Sequence, residues 1–518
     1  MLVGESDFDL EHNFIIKNPG VVLVLFQVFS QFLKSKKSKS KSKSDKIMKD
    51  DEEYFRRLTK TFEEMCRKSI NNTSICCENG LVYFLLNLIP YTKSRDVSQM
   101  VLDLIGVLGS HRITVKELKL MFSLLKSDSS KMRPPFSTQM LEKMLQIISI
   151  EKEEPNSFFD FNGRDSCIEV PSLYPWPSAK GYSFCTWIRV ESFTSPIYKP
   201  NYKPRVFSFL SSHHGIELLF SPLVVVETQS FMKKQNKLNS NSNLNINSNS
   251  NSNLNINEVK DAEVNVEVRV IISTQVEIAS FPLKIPICKW FFLSISHSSS
   301  RWVSNGTISI FINGDLKKER SLKYPKTRKA FRKNRIGSNF DINPKNIEIG
   351  VNPFYGQMGT LYFFDDVLGL SEMKGIYKLG ARYNSHFYEC EISDYQSDED
   401  IALVLNGALS NKIFLYLSSQ ATEQGFCFDD SPNSILKSKA KLRGLFKCIS
   451  TKIEDIVYCI GGMQVLLPLI LQIDQQEPEN FKDLDESENN DENNENNNEN
   501  NNENNNNNEN NSFNPPKK

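Results

Sequence analysis

The pattern of apolar and polar positions changes character twice along the chain. From about residue 52 to residue 150, apolar side chains recur at helical spacing, as in VSQMVLDLIGVLG and VKELKLMFSLLK. Thr114 and Glu117 form a T-x-x-E capping box, which predicts where the second of these helices begins. Short amphipathic helices in series are typical of helical solenoid repeats, although no fixed period is clean here.

From about residue 157 to residue 382 the pattern is that of strands. In RWVSNGTISIFINGD, the pairs Asn305-Gly306 and Asn313-Gly314 flank an alternating segment, residues 307–312. Asn-Gly is the preferred filling of a two-residue type I′ turn because both positions need positive φ. Many short strands joined by hairpins predict an antiparallel β-sandwich.

One strand of this region, GYSFCTWIRV at residues 181–190, is apolar on both faces. Tyr182, Phe184 and Ile188 point one way, and Cys185 and Trp187 point the other way. A strand with one face in water would alternate apolar with polar residues. We therefore expect the second sheet to cover one face and flanking helices to cover the other.

Helical patterning returns after residue 398. The segment IEDIVYCIGGMQVLLPLILQID predicts a helix, a turn at Gly461-Gly462, and a second helix with Pro468 near its start. Low-complexity segments then complete the expected organisation. It comprises a helical segment 1–33, a Lys/Ser linker 34–46, a helical segment 47–155, a sandwich 156–385 with a disordered insertion 237–257, a helical segment 386–475, and a disordered Asn/Glu-rich tail 476–518.

Composition adds few chemical signals. Lys+Arg and Asp+Glu both number 62, so the zero net charge gives no whole-chain reason to expect nucleic acid as a partner. The start of the chain lacks a secretory signal, and the apolar run 21–29 is about half the length of a membrane span. The ten cysteines form no metal-binding spacing. We expect a soluble intracellular protein with no cofactor, no metal and no transmembrane segment.

Two candidate sites on the sandwich have simpler explanations. Glu263 and Glu267 in EVNVEVRV lie four residues apart on one strand, or about 13 Å, whereas a retaining glycosidase needs its two carboxyl groups about 5 to 5.5 Å apart. The spacing therefore argues against catalysis, and we expect no enzyme. Trp187, Trp290 and Trp302 could form an aromatic binding platform, but large aromatic residues on central strands are more often core.

The strongest local charge signal is KYPKTRKAFRKNR, residues 323–335, in which Tyr324 and Phe331 interleave with cations. Such a segment suits an anionic surface, because its charges attract lipid phosphates and its aromatic rings favour the interfacial zone; the alternative is a solvated loop. The seven candidate residues are Lys323, Lys326, Arg328, Lys329, Arg332, Lys333 and Arg335.

Several motifs in sequence order carry a resemblance to a known family. FFDFNG (158–163), Trp176-Pro177, GYSFCTWIRV, KWFFLSISHSSSRW, FINGD and GQMGTLYFF resemble the concanavalin A-like sandwich of large BEACH-domain proteins of the neurobeachin type. The helices on either side look like that family's armadillo-like segments. No segment resembles the family's PH-like, BEACH or WD40 portions.

The resemblance implies an α and β multidomain chain, with a concanavalin A-like jelly roll flanked by armadillo-like helices. It further implies a non-enzymatic scaffold that binds other proteins in membrane and vesicle traffic, in the cytoplasm and peripherally on endomembranes. Two alternatives stay open: a carbohydrate-binding module of the lectin kind, and an anionic-membrane-binding module that uses residues 323–335.

Overall fold

The computed structural model describes the chain as two compact units, one of residues 1–151 with 451–518 and one of residues 152–450. The expected insertion 237–257 and the expected tail 476–518 lie outside the described residues. Residues 35–43 of the expected linker also lie outside them. The described ranges are 2–3, 14–34, 44–92, 94–126, 133–149, 153–177, 179–193, 202–211, 215–222, 265–274, 277–299, 306–325, 327, 329–340, 352–389, 398–432 and 439–470.

The N-terminal part of the first unit is mainly helical. Its α-helices are α1 (Val21–Phe29), α2 (Gln31–Lys34), α3 (Ser44–Lys68), α4 (Ile70–Glu78), α5 (Leu81–Leu86), α6 (Arg95–His111), α7 (Val115–Leu124) and α8 (Ser137–Ser149). The predicted capping box is confirmed: the Thr114 hydroxyl accepts from the Glu117 amide at 3.3 Å, and the Glu117 carboxylate accepts from the Thr114 amide at 2.8 Å. Helix α3 already begins at Ser44, inside the expected linker.

The second unit is built mainly of strands. In chain order it contains β1 (Ser157–Asn162), β2 (Cys167–Val170), β3 (Gly181–Val190), β4 (Arg205–Leu210), β5 (Gly215–Pro222), β6 (Asn265–Ser273), β7 (Ile278–Pro286), β8 (Trp290–Ser298), β9 (Gly306–Ile312), β10 (Asp315–Leu322), β11 (Lys333–Ile336), β12 (Tyr355–Phe364), helices α9 (Leu370–Lys378) and α10 (Glu399–Val404), then β13 (Ile413–Glu423), β14 (Phe426–Asp429), β15 (Ala440–Arg443) and β16 (Leu445–Ile449).

The strands form two layers that pack face to face. One layer runs β10-β9-β8-β3-β12-β13 and the other runs β2-β11-β4-β5-β6-β7, with β14 and β15 joining them and β1 pairing with β12 and β16. The pairs between these strands are antiparallel. Phe184 of β3 lies 5.0 Å from Phe207 of β4, ring centroid to ring centroid, although the two strands are far apart in the sheet order. The predicted antiparallel sandwich is therefore confirmed.

Strand β3 is buried on both faces, as its sequence predicts. Tyr182, Phe184 and Ile188 belong to the core between the layers. Cys185 and Trp187 point outward into a separate apolar cluster. The strand pairs with β8 on one side and β12 on the other, so it is central in its layer.

Two helices of the same unit, α9 and α10, cover the outer face of β3. Met373 and Ile376 of α9 join Trp187 in the outer cluster, and the Trp187 ring stacks on Tyr377 with 5.5 Å between centroids. Helix α9 approaches α10 closely at Gly375, where a Cβ would lie 2.2 Å from the Asp400 carbonyl oxygen. The expected cover by a flanking helical segment is thus met in part: α10 belongs to the expected segment 386–475, whereas α9 lies within the expected sandwich range 156–385.

The predicted hairpin at Asn313-Gly314 is confirmed. It joins β9 to β10, and both residues have positive φ, at 52° and 78°. The Asn313 side-chain oxygen also accepts a hydrogen bond from the Phe292 amide at 2.9 Å, which ties the turn to β8. The Asn305 half of the other predicted turn lies outside the described residues.

The expected helical segment 386–475 is wrong in its middle part, which contains strands β13 to β16. Strand β13 pairs with β12, with Leu417 opposite Leu361, so the sandwich unit continues to residue 450. The side chains of the run IFLYL at the start of β13 belong to both apolar clusters. The run therefore lacks the alternation of apolar and polar residues that marks a half-exposed strand.

The chain returns to the first unit at Thr451. The Thr451 hydroxyl accepts from the Ile113 amide and donates to the Ile113 carbonyl oxygen, both at 3.0 Å. Helix α11 (Ile453–Cys459) then packs on α7 and α8. Gly461 and Gly462 have positive φ, and a 3-10 helix, Gly462–Leu466, leads into α12 (Leu467–Ile470), which confirms the predicted helix-turn-helix.

We predict that Trp187→Ala destabilises the sandwich unit by about 3 to 5 kcal/mol, because the ring is only 7% exposed and its loss leaves a cavity under α9. Trp187→Phe, which keeps most of the apolar area, should cost less. Urea unfolding of both variants measures this. If Trp187→Ala kept its unfolding midpoint and lost a binding activity instead, Trp187 would be a site residue and not a core residue.

Candidate functional site

The candidate anionic-surface site, residues 323–335, comprises the connection from β10 to β11 and the first three residues of β11. Lys323, Lys329, Arg332 and Lys333 are exposed there, as expected. Lys326 and Arg328 lie outside the described residues. The exposed cations therefore sit between two strands that belong to different layers of the sandwich.

The two aromatic residues of this segment are buried. The Tyr324 hydroxyl accepts from Trp176 Nε1 at 3.1 Å and donates to the Pro177 carbonyl oxygen. Phe331 lies in the core 5.1 Å from the Trp176 ring, and its backbone exchanges hydrogen bonds with Leu173. The expectation that these rings reach a membrane interface is wrong. Their contacts with Trp176 anchor the backbone of the segment to the sandwich core.

Arg335 is committed to a structural ion pair. One of its nitrogens lies 2.9 Å from a Glu169 oxygen, and Arg443 lies 2.6 Å from the other oxygen of the same carboxylate. Burial tends to raise the pKa of Glu169, but hydrogen bonds from Arg443 and Arg335 outweigh it and lower the pKa. The three residues lie on the adjacent strands β11, β2 and β15, so their ion pairs connect these strands. We therefore do not count Arg335 among the surface cations.

The neighbouring strand β10 extends the surface charge. Lys318 and Arg320 lie opposite Ile310 and Ile308, whose side chains point into the core, so these cations lie on the inner side of an edge strand and remain exposed. Inward-pointing charges on an edge strand also discourage pairing with another sheet. We call the exposed set the basic edge; it consists of Lys318, Arg320, Lys323, Lys329, Arg332 and Lys333.

A buried polar cluster, which the sequence analysis missed, links strands β1, β12 and β3. The Gln357 amide donates to Asp160 at 2.7 Å and to Glu191 at 3.0 Å, and its oxygen accepts from Arg189 at 2.7 Å. Two carboxylates thus share the amide of Gln357, and Glu191 also pairs with the Arg189 guanidinium. Burial raises the pKa of Asp160 to about 7, although the hydrogen bond from Gln357 opposes the shift. The only sequence signal was a polar residue between two phenylalanines in FFDFNG.

The described residues among the candidate glutamates and tryptophans do not come together in a catalytic or binding site. Glu267 is exposed on β6 opposite Lys284, and Glu263 lies outside the described residues, as does Trp302. Trp187 is closed off by Tyr377, and Trp290 packs against Phe158 at 5.1 Å. Over the described ranges, no group of three or more His, Cys, Asp or Glu side chains is placed to hold a metal ion.

In the first unit, α8 carries apolar residues on two faces. Met140, Met144 and Ile147 are buried in the helical core. Leu141, Leu145 and Ile148 are exposed, Leu145 to 65%, at the i, i+4, i+7 spacing of one helix face. We call these three residues the α8 stripe. A surface helix normally has a polar outer face.

The C-terminal helical hairpin repeats this arrangement. Val465, Leu466 and Leu469 pack against the helical core. Met463, in the 3-10 helix, and Leu467 and Ile470, in α12, are exposed, Met463 to 73%. We call them the hairpin stripe. In helical solenoids such apolar faces are where successive repeats stack, and a terminal repeat needs a polar outer face.

Comparisons with known proteins match two ranges of the chain to one family. Residues 1–148 match the Neurobeachin alpha solenoid region, and residues 436–495 match the Neurobeachin/BDCP, DUF4704 alpha solenoid region.

Three curated relatives cover most of this chain. BEACH domain-containing protein B of Arabidopsis thaliana is 26% identical over 93% of this chain and 17% of its own length. The Dictyostelium discoideum proteins lvsE and lvsD, both named as BEACH domain-containing, are 23% and 28% identical over 77% and 76% of this chain, and 16% and 14% of their own lengths. The resemblance to the neurobeachin-type BEACH-domain family is thereby confirmed. The chain spans about a sixth of the length of these relatives.

Solved structures similar to this chain share little of its sequence. The heptameric SAP-like pentraxin of Limulus polyphemus is 10% identical, with a TM-score of 0.29, over 58% of this chain and 99% of its own. Mouse laminin alpha1 domains LG4-5 are 11% identical, with a TM-score of 0.23, over 42% of this chain and 43% of their own.

A search of the described helices for membrane spans finds none that is long and apolar enough by itself. Ile453–Cys459 and Gly462–Ile470 reach the required length only as a pair, and they are bent by 89° relative to each other.

The buried cluster predicts a pH dependence of stability. The folded pKa of Asp160, about 7, lies above the usual 3.8, so the folded chain binds more protons than the unfolded chain between these values. Its contribution to the free energy of unfolding therefore falls as pH rises from about 4 to 7, by at most about 1.4 kcal/mol per pH unit.

Asp160→Asn removes this ionisation and keeps an oxygen that can accept from Gln357. The free energy of unfolding of the variant, relative to that of the wild type, should therefore be higher at pH 8 than at pH 5. Denaturant unfolding at both pH values measures the difference. Asp315→Asn, at an exposed carboxylate, controls for the loss of one charge. Parallel pH profiles for Asp160→Asn and wild type would contradict the prediction.

Proposed function

We propose that this chain is a non-enzymatic interaction module that binds other proteins in intracellular membrane and vesicle traffic. Its relationship to the neurobeachin-type family supports this setting, and with it a place in the cytoplasm, peripheral on endomembranes. The observation that carries the proposal is the pair of apolar stripes on the helical unit. Exposed apolar patches of this kind mark protein interaction sites.

The α8 stripe has the geometry of a helix-in-groove contact. Anchors at i, i+4 and i+7 on one face can insert between the side chains of a partner helix. Glu142 is exposed beside the stripe, and the hairpin's Glu454 is exposed as well. Partner helices with apolar anchors and basic flanks therefore fit this surface best.

We predict that changing Leu145 and Ile148 to Ser abolishes capture of membrane-traffic proteins from cytosol by the full-length chain. The change removes exposed apolar side chains outside the helical core, so the free energy of unfolding should stay within about 1 kcal/mol of the wild type. Glu142→Ser with Gln146→Ser is the matched control, at exposed polar positions of the same helix. Quantitative mass spectrometry of the captured proteins gives the readout. Equal loss in both double variants, or no loss in either, would contradict the role of the stripe.

A second candidate function is attachment to an anionic membrane through the basic edge. The anchoring of this segment to the sandwich core favours it. Because Tyr324 and Phe331 hold the segment to the core, its cations lose little freedom when they meet a charged surface. Each basic residue near an anionic leaflet contributes about 1 kcal/mol, so four in reach support weak, reversible attachment.

We predict that the full-length chain co-sediments with liposomes that contain phosphatidylserine more than with neutral ones, and that added salt reduces the difference. Changing Lys323, Lys329, Arg332 and Lys333 to Gln should lower sedimentation several-fold. A control with the same loss of charge changes the exposed Lys60, Lys119, Lys126 and Lys441 to Gln. Equal sedimentation of the two variants, or no response to salt, would return the segment to a solvated loop.

A further inference from the structure

The first unit contains a cleft of about 410 Å³ that is separate from both stripes. Leu23 of α1 and Tyr83 and Phe84 of α5 supply apolar lining, and Thr114, Lys116 and Glu117 line it from the start of α7. The cleft is thus formed by three helices that are held together by the helical core.

Of the two charged residues in the lining, Lys116 is the exposed one and Glu117 is buried. Glu117 is only 5% exposed, and its carboxylate is occupied by the capping box, where it accepts from both the amide and the hydroxyl of Thr114. Lys116 is exposed, with its ammonium 4.1 Å from the centre of the Tyr83 ring. An occupant with an apolar side chain for the lining and a carboxylate for Lys116 would match both features.

The chain's own sequence beyond residue 470 contains a segment with this chemistry. Residues 471–518 hold thirteen Asp and Glu against three Lys. Between residues 474 and 512 the large apolar residues are Phe481 and Leu484, in the sequence ENFKDLDESE. Phe481 and Leu484 are three residues apart with Asp483 between them, so apolar and acidic groups occur together at one place.

The distance permits this segment to reach the cleft. Thr451 is hydrogen-bonded to His111 and Ile113, directly before the cleft residue Thr114. The helices from Ile453 to Ile470 rise by at most about 30 Å even if laid end to end. The eleven residues from Ile470 to Phe481 can span about 36 Å when extended.

We propose that the segment around Phe481 and Leu484 docks into this cleft in cis, with the two apolar side chains on Leu23, Tyr83 and Phe84 and an acidic neighbour beside Lys116. Tethering gives the segment an effective concentration of the order of millimolar, so an intrinsic dissociation constant of about 100 μM would keep the cleft about nine-tenths occupied. An acidic, apolar peptide of another protein would then have to displace the segment.

The test is the binding of a fluorescent synthetic peptide of residues 476–488 to the full-length chain. With Phe481 and Leu484 both changed to Ser in the chain, the competing segment is lost, and the peptide should bind about tenfold more tightly than to the wild type. Phe513→Ser, which removes a large apolar residue elsewhere in the same region, is the control and should match the wild type. Equal affinity for wild type and double variant, or no binding to the double variant, overturns the proposal.

A second pair of variants locates the site. In the Phe481→Ser, Leu484→Ser chain, Lys116→Glu should weaken peptide binding at least tenfold. Lys119→Glu makes the same charge change at an exposed position of α7 outside the cleft and should leave binding unchanged. Equal effects of the two changes would overturn the site. A wild-type affinity that varies with protein concentration would show exchange of the segment between copies and overturn docking in cis.

Discussion

Burial of the central sheet on both faces is the constraint from which the rest of the sandwich unit follows. Strand β3 has no polar face. Strand β12 beside it, and β13 on the far side of β12, likewise send side chains into both apolar clusters. One cover is the second layer of strands. The other is α9 and α10, which sit close enough to each other that Gly375 has no room for a side chain.

This double cover determines which surfaces remain for binding. The outer face, which in other sandwiches could present aromatic rings to a ligand, is closed here by Tyr377 over Trp187. The basic edge lies where two layers of strands are joined by a segment with buried aromatic anchors. In the helical unit, by contrast, the apolar side chains of the α8 stripe and the hairpin stripe remain exposed, and these are the surfaces to which we assign protein binding in our proposal.

Charged groups in the sandwich have two distinct roles. Glu169 with Arg335 and Arg443, and Gln357 with Asp160, Arg189 and Glu191, connect strands through hydrogen bonds in buried or half-buried places. Groups of this kind are costly to leave unpaired when buried, so they define which strands lie side by side. The exposed lysines of the basic edge have no such structural task and are free to meet a surface.

The sequence by itself determined the features that depend on neighbouring residues. Apolar periodicity and turn chemistry predicted β3 with its two buried faces, the positive φ angles of Asn313-Gly314, the capping box at Thr114 and the glycine turn at 461–462. Only the tertiary structure decided features that join distant residues. Arg335 meets Glu169 across 166 positions, Tyr324 meets Trp176 across 148, and β13 becomes a strand because β12 offers it a free edge. The sequence of a charged run or of a short apolar run is the same whether water or a distant strand lies against it. Periodicity indicates which faces of an element are apolar but not what packs on them.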